Sequence, residues 1–202
     1  MTRARFHGRI AGVGSTSGVR VVVGHWRQTP MGAFSDVMAE TAAGHRMLLA
    51  PTAMVADFIS ATYAFDEVRV EPVQVEATLE EWQVVSSSLT LTIGIGARTP
   101  LGRLLHTIPA AVATNPAWAS AADPFSRVIM RGVRTRGSAG GSRREWYGAT
   151  DVREVVSLLG ELDGVDLGRL APVDPPCRFG FSSTPRRPSV TDVVTTIDVR
   201  PG

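Results

Sequence analysis

The chain contains no lysine; all 21 of its Lys+Arg positions are arginine. A Schiff-base lysine, a P-loop lysine and a lysine general base are therefore excluded. Arginine does not titrate in the accessible range, which reconciles a pI near 9.3 with a net charge of only +2. A GC-rich coding sequence is a sufficient origin for the bias. Cysteine is nearly absent too: Cys177 stands alone between Pro176 and Arg178. It excludes an internal disulfide, and with no histidine near it in sequence it reads as structural rather than nucleophilic. No apolar run approaches the roughly 18 residues that span a bilayer. The N-terminal stretch lacks the apolar core of a secretory leader, so a cytoplasmic protein is expected. His7, His25, His45 and His106 show neither HxH nor HExxH spacing, so no metal site is expected. There is no serine elbow, and Gly12-Val13-Gly14 is too short for a dinucleotide loop. No cofactor is expected.

What is present points to strands. An apolar fraction of 44% in 202 residues supplies a core for one domain, 1–202. Val19 to Trp26, Phe34 to Glu40, Arg46 to Ala50 and Glu67 to Ala77 are β-branched or alternating, and Pro72 marks an edge or a bulge. Leu89, Leu91, Ile93 and Ile95 share one face of a half-buried strand. Val152 to Leu162, Arg178 to Phe181 and Val190 to Val199 add further strands. One helix is expected over 52–63, capped by Thr52, with Val55, Phe58, Ile59 and Tyr63 at helical spacing. The segment 98–126 is rich in Ala, Leu and Pro and reads as short helices broken at Pro109, Pro116 and Pro124. Its expected role is a cap, acting as a binding wall or as a plug at the end of the barrel. The predicted fold is mainly β: a single antiparallel β-barrel or closed sandwich, with one short helix and a helical cap insertion.

The stretch from Arg127 to Asp151 concentrates six arginines, a glycine-rich turn and the Trp146-Tyr147 pair. A turn centred on Ala139-Gly140 would pair Arg134 with Glu145 and Arg136 with Arg143. It would put Arg134, Arg136, Arg143, Glu145, Tyr147 and Asp151 on one face. That face suits a carboxylate or phosphate, with Arg134 or Arg136 as a forked donor. A solvated edge hairpin, blunted against aggregation by its charges, uses the same residues. A basic strip beside two aromatics is also the kind of surface that grips single strands. The nearly balanced charge and the lack of a recognised motif argue against nucleic acid.

Asp36 and Glu40 lie four apart on one side of a strand. With Glu67, Glu80 or Glu81 they would form an inward carboxylate set able to exchange protons. The surrounding stretch, from Trp26 through Thr29-Pro30-Met31-Gly32 to Asp36 and Val37, resembles a segment of the acetoacetate decarboxylase-like β-barrel superfamily. There an SPxGPY stretch precedes an acid on a strand that enters the pocket. The resemblance implies that Asp36 is the inward acid, with Asp where that family has Glu. The family's decarboxylating lysine has no counterpart here, so a related barrel with an acid and arginines in its cavity is implied and decarboxylation is not.

The expected function is binding, with or without acid–base turnover, of a small apolar molecule carrying a carboxylate or carbonyl. Asp36, Tyr147 and Glu145 are the candidate catalytic groups. Arg134, Arg136, Glu81 and the walls Trp26, Trp82 and Trp146 are the candidate ligand contacts. The alternative is a non-catalytic interaction protein that docks a partner or a membrane surface through the cap and the arginine hairpin. A small-molecule partner is expected, with no nucleic acid and no transmembrane segment, and a homo-oligomer is compatible with this reading.

Overall fold

The computed structural model describes residues 2–108, 136–139, 143–180 and 184–199. The strands are β1 (Thr2–Ser15), β2 (Arg20–Gln28), β3 (Phe34–Glu40), β4 (Arg46–Ala50), β5 (Glu67–Val70), β6 (Gln74–Ala77), β7 (Glu81–Val85), β8 (Leu89–Arg98), β9 (Arg136–Ala139), β10 (Arg143–Leu162), β11 (Val165–Asp166), β12 (Leu170–Ala171) and β13 (Ser189–Val199). Helix α1 is Ala53–Ser60 and α2 is Pro100–His106. Along β8, Leu89, Leu91 and Ile93 are buried while Thr90 is exposed. Each buried apolar side chain of this size contributes about 1.5–3 kcal/mol relative to exposure, so period-2 alternation fixes which face turns inward.

The strands order as β5-β4-β3-β2-β1-β13-β10-β8-β7-β6, with β9 and β11 paired to β10 and β12 to β1. This corrects the expected closed antiparallel barrel at two points. The β4–β5 pair is parallel, with α1 in the crossover between them. The sheet also curls into a half-barrel without closing. Its two edge strands, β5 and β6, are consecutive in the chain and only residues 71–73 separate them. Pro72 within that link has no N–H to donate, which opposes a closing ladder.

Residues from both ends of the strand order meet in one cluster: Val37 and Leu49 from β3 and β4, Trp82 and Val84 from β7, and Leu91 and Ile93 from β8. That face is therefore the inside of the curl. The opposite face of β2–β4 is covered by α1, through Val55, Ala56 and Ile59 against Leu48 and Ala50. It is covered as well by Val173, Cys177 and Phe179 against Val22. Cys177 is buried here with a free thiol.

Three local expectations are corrected. The helix expected over 52–63 is the shorter Ala53–Ser60; Thr52 does cap it, accepting from the Val55 backbone N–H at 3.3 Å. Residues 178–180 form no strand, and Phe181 lies outside the described residues. In the hairpin Arg136 pairs with Trp146 and Ala139 with Arg143, rather than Arg136 with Arg143 as expected. Helix α2 is the described beginning of the expected cap, and 109–126 lie outside the described residues.

Candidate functional site

Among the described residues, one cavity lies on each face of the sheet. The larger, of about 590 Å³, opens on the concave side. Arg9 reaches it from β1, Trp82 from β7, Ile95 and Arg98 from β8, Asp151 and Arg153 from β10, and Val190 and Asp192 from β13; Leu79, His106 and Ile108 complete its wall. Three arginines against two aspartates leave one positive charge in excess. Strand β10 delivers its share only because its register shifts between Ala149 and Asp151. The bulged Thr150 reverses the parity, so Asp151 and Arg153 face the concave cavity while Tyr147 faces the convex one. The expectation that Tyr147 and Asp151 share a face is corrected by that one residue.

Arg9 is the most constrained cation of this cavity. Its guanidinium lies over the Trp82 ring, 5.0 Å from the centroid. Its Nη2 donates a long bond of 3.5 Å to the Ala77 carbonyl. Its buried Nε has no hydrogen-bond acceptor, since Asp192 Oδ1 stands 3.9 Å away. Burial lowers the Arg9 pKa from its ordinary value, with Asp192 acting in the opposite direction. Burial raises that of Asp192, which Arg9 partly offsets. By contrast, Arg98 is committed: its Nε donates to both Asp151 oxygens at 2.8 and 2.9 Å. His25 braces Trp82 edge-on, with ring centroids 5.9 Å apart, and its Nδ1 bonds Ser35 Oγ at 3.0 Å. Its pKa is lowered by burial, then by Arg9 and Arg27.

The second cavity, of about 70 Å³, lies on the convex face beneath α1. Asp36 is buried at its base and accepts the Trp26 Nε1–H at 2.9 Å. Burial pushes the Asp36 pKa up to about 7, against the smaller pull of the Trp26 bond. Gly24 makes the arrangement possible: a Cβ there would overlap Asp36 Oδ1 and stand 2.6 Å from Trp26 Nε1. Tyr63 and Tyr147 meet hydroxyl to hydroxyl across the cavity.

The sequence-derived set is thus divided. Asp36, Tyr147 and Trp26 come together in the convex cavity, and Trp82 lines the concave one. Glu81 neighbours Trp82 on β7, points to the other face by alternation, and accepts from Gln83 Nε2 at 2.8 Å. Trp146 is buried and alternates with Tyr147. Arg134 lies outside the described residues, as do the side chains of Arg136 and Glu145. The carboxylate set expected around Asp36 does not assemble. Glu40 is fully buried but is held by Arg20 at 3.0 Å and Arg178 at 2.8 Å, and Glu67 pairs with His45 and Arg69. Sequence reasoning missed Arg9, Arg153 and Asp192. Arg9 shares its face with Ala11 and Val13, Asp192 with Val190, and Arg153 with Asp151.

No protein-family model matches the chain, and no curated protein matches it. Among solved structures it is similar to the crystal structure of acetoacetate decarboxylase from Legionella pneumophila subsp. pneumophila str. Philadelphia 1. The TM-score is 0.43 at 6% identity, over 98% of this chain and 84% of that one.

Proposed function

We propose that the chain binds a small apolar molecule bearing a carboxylate or carbonyl in the concave cavity. Arg9 and Arg153 are the anion donors, and Asp192 is the group able to exchange a proton. The observation that carries the reading is Arg9: a cation stacked on Trp82, with one long hydrogen bond and a buried Nε that has none. A cation kept so poorly satisfied is suited to an incoming anion, because charge-assisted hydrogen bonds are worth most where water is scarce. The volume of about 590 Å³ falls within the roughly 300–1,000 Å³ of small-molecule sites. Trp82, Ile95, Leu79 and Val190 offer the ligand an apolar wall. Asp192, its pKa raised by burial, is a proton donor or acceptor for an adjacent carbonyl. In this reading the acid–base role falls to Asp192, since Asp36 faces the other cavity. The alternative, docking through the cap and the arginine hairpin, turns on 109–126 and on hairpin side chains outside the described residues.

The test is calorimetric titration with benzoate and with benzyl alcohol, on the wild type, Arg9→Met and Arg153→Met. Benzoate is expected to bind at least about tenfold tighter than benzyl alcohol, since a hydrogen bond to a charged group is worth about 1.5–3 kcal/mol. Each substitution should shrink that preference. Equal affinity for the two probes, or a preference untouched by both substitutions, would overturn the reading. Native mass spectrometry of freshly purified protein is the companion measurement, and a co-purifying acid or carbonyl compound is the expected result.

A further inference from the structure

In the concave cavity one negative charge is left unanswered. Asp192 on β13 stands directly across the ladder from Arg9 on β1, and both side chains line the cavity. On its other flank, past the register shift, Asp192 stands opposite Asp151 of β10. Like charges placed opposite one another repel. Arg98 relieves Asp151, since its Nε donates to both carboxylate oxygens. Asp192 has no such relief. Among the described residues no group donates a hydrogen bond to its carboxylate, and Arg9 Nε stops 3.9 Å from its Oδ1. Arg27 and Arg153 act on it through space alone. Arg9 Nε is itself buried without an acceptor. A cation and an anion thus face each other, too far apart to bond and both unsatisfied.

This pair selects among anions. A simple carboxylate that approaches Arg9 must also approach Asp192, whose charge repels it, and that repulsion is strongest where water is scarce. A ligand with its own cation beside the carboxylate turns the repulsion into a second charge-assisted bond. The spacing restricts where that cation sits. A ligand lying across the pair, bonded to each end, must hold its two charged atoms about as far apart as Arg9 Nε and Asp192 Oδ1. A carboxylate and an ammonium on one carbon meet that spacing. A longer chain between them holds the charges too far apart.

We infer that the concave cavity takes an α-amino acid with an apolar side chain, an assignment that rests on the anion reading above and adds a second charge to it. Arg9 holds the carboxylate and Asp192 the ammonium. The apolar part follows from what surrounds them. Trp82 lies beneath the Arg9 guanidinium. Val190 is two residues from Asp192 on the same strand face. Ile95 and Leu79 continue that surface. The volume of about 590 Å³ is about four times the roughly 150 Å³ that accommodates benzene, so an aryl side chain fits. Held against an ammonium, Asp192 stays ionised, which makes it the acceptor rather than the donor in proton exchange.

The experiment titrates L-phenylalanine, 3-phenylpropanoate and 2-phenylethylamine into the full chain at pH 7, read by calorimetry. The three probes share a ring and a two-carbon chain and differ in the charged groups they carry. Phenylalanine is expected to saturate one site at least about tenfold tighter than either probe of single charge. Asp192→Asn should weaken phenylalanine by a similar factor. The same substitution should tighten 3-phenylpropanoate several-fold, because the repelling charge is gone. Arg9→Met should weaken phenylalanine and 3-phenylpropanoate and should not weaken 2-phenylethylamine.

The wild-type comparison needs no variant, so a substitution that unfolds the chain does not remove the test. If phenylalanine binds no tighter than 3-phenylpropanoate, the amino-acid assignment is overturned. The anion reading then stands if benzoate still binds tighter than benzyl alcohol, and falls with it if that preference is missing too. An Asp192→Asn protein whose affinity for 3-phenylpropanoate does not rise would also overturn the assignment, because Asp192 would then not face the carboxylate site.

Discussion

Replacing Asp36 with asparagine tests how strongly the convex cavity perturbs its acid. The carboxyl is buried with a single hydrogen bond, and its pKa rises from 3.8 to about 7. The folded state therefore holds this proton more tightly than the unfolded chain does. Its contribution to stability is complete below the unfolded pKa and is lost as pH rises through the folded one. About three pKa units correspond to roughly 4 kcal/mol in all, of which about 3 kcal/mol disappears between pH 5 and pH 8. Asparagine keeps an acceptor for Trp26 Nε1–H and cannot ionise. The assay is urea unfolding of both proteins at four pH values over that interval, using the difference between them. Other titrating groups, Asp192 among them, appear in both profiles and cancel. The wild type should lose about 3 kcal/mol relative to Asp36→Asn as pH rises. Parallel profiles, differing by less than about 0.5 kcal/mol across the interval, would refute the claim that this carboxyl ionises in an apolar space.

The packing around Glu40, Trp82 and Gly24 sets further outcomes. Glu40→Ala strands the buried Arg20 cation, which Glu40 pairs at 3.0 Å; removing one partner of a buried pair costs about 3–5 kcal/mol, so thermal unfolding should fall on the order of 10 °C. Arg178→Ala, at the mostly exposed end of the same network, should cost under about 1 kcal/mol. Trp82→Ala empties a fully buried site and should cost about 3–5 kcal/mol by chemical denaturation. Trp82→Phe should cost far less, because it also removes a buried indole N–H that has no acceptor. Gly24→Ala should separate Trp26 from Asp36, seen as a shifted Trp26 emission and a lost pH dependence of stability.

Some of the residues singled out in the sequence converge in space and others do not. Asp36 and Trp26 were drawn from one stretch and Tyr147 from another, and all three line one cavity. Arg9 went unread because the two arginines of RFHGRIAGV look alike as edge charges; what distinguishes Arg9 is Trp82, which lies 73 positions later in the chain.

The sequence by itself determined most of the strands, the capped helix and the absence of lysine chemistry. These follow from alternation, glycine and proline placement and composition, all of which act over a few residues. Tertiary structure alone decided that the sheet curls without closing, that β4 and β5 run parallel, and that the expected site residues divide between two faces. The physical reason is parity. Successive side chains on a strand point to opposite faces, so one extra residue at Thr150 turns Asp151 and Arg153 into the concave cavity while Tyr147 stays on the convex side. A bulge is defined by the partner strand it mismatches, and that partner, β13, lies some 40 residues away in the chain.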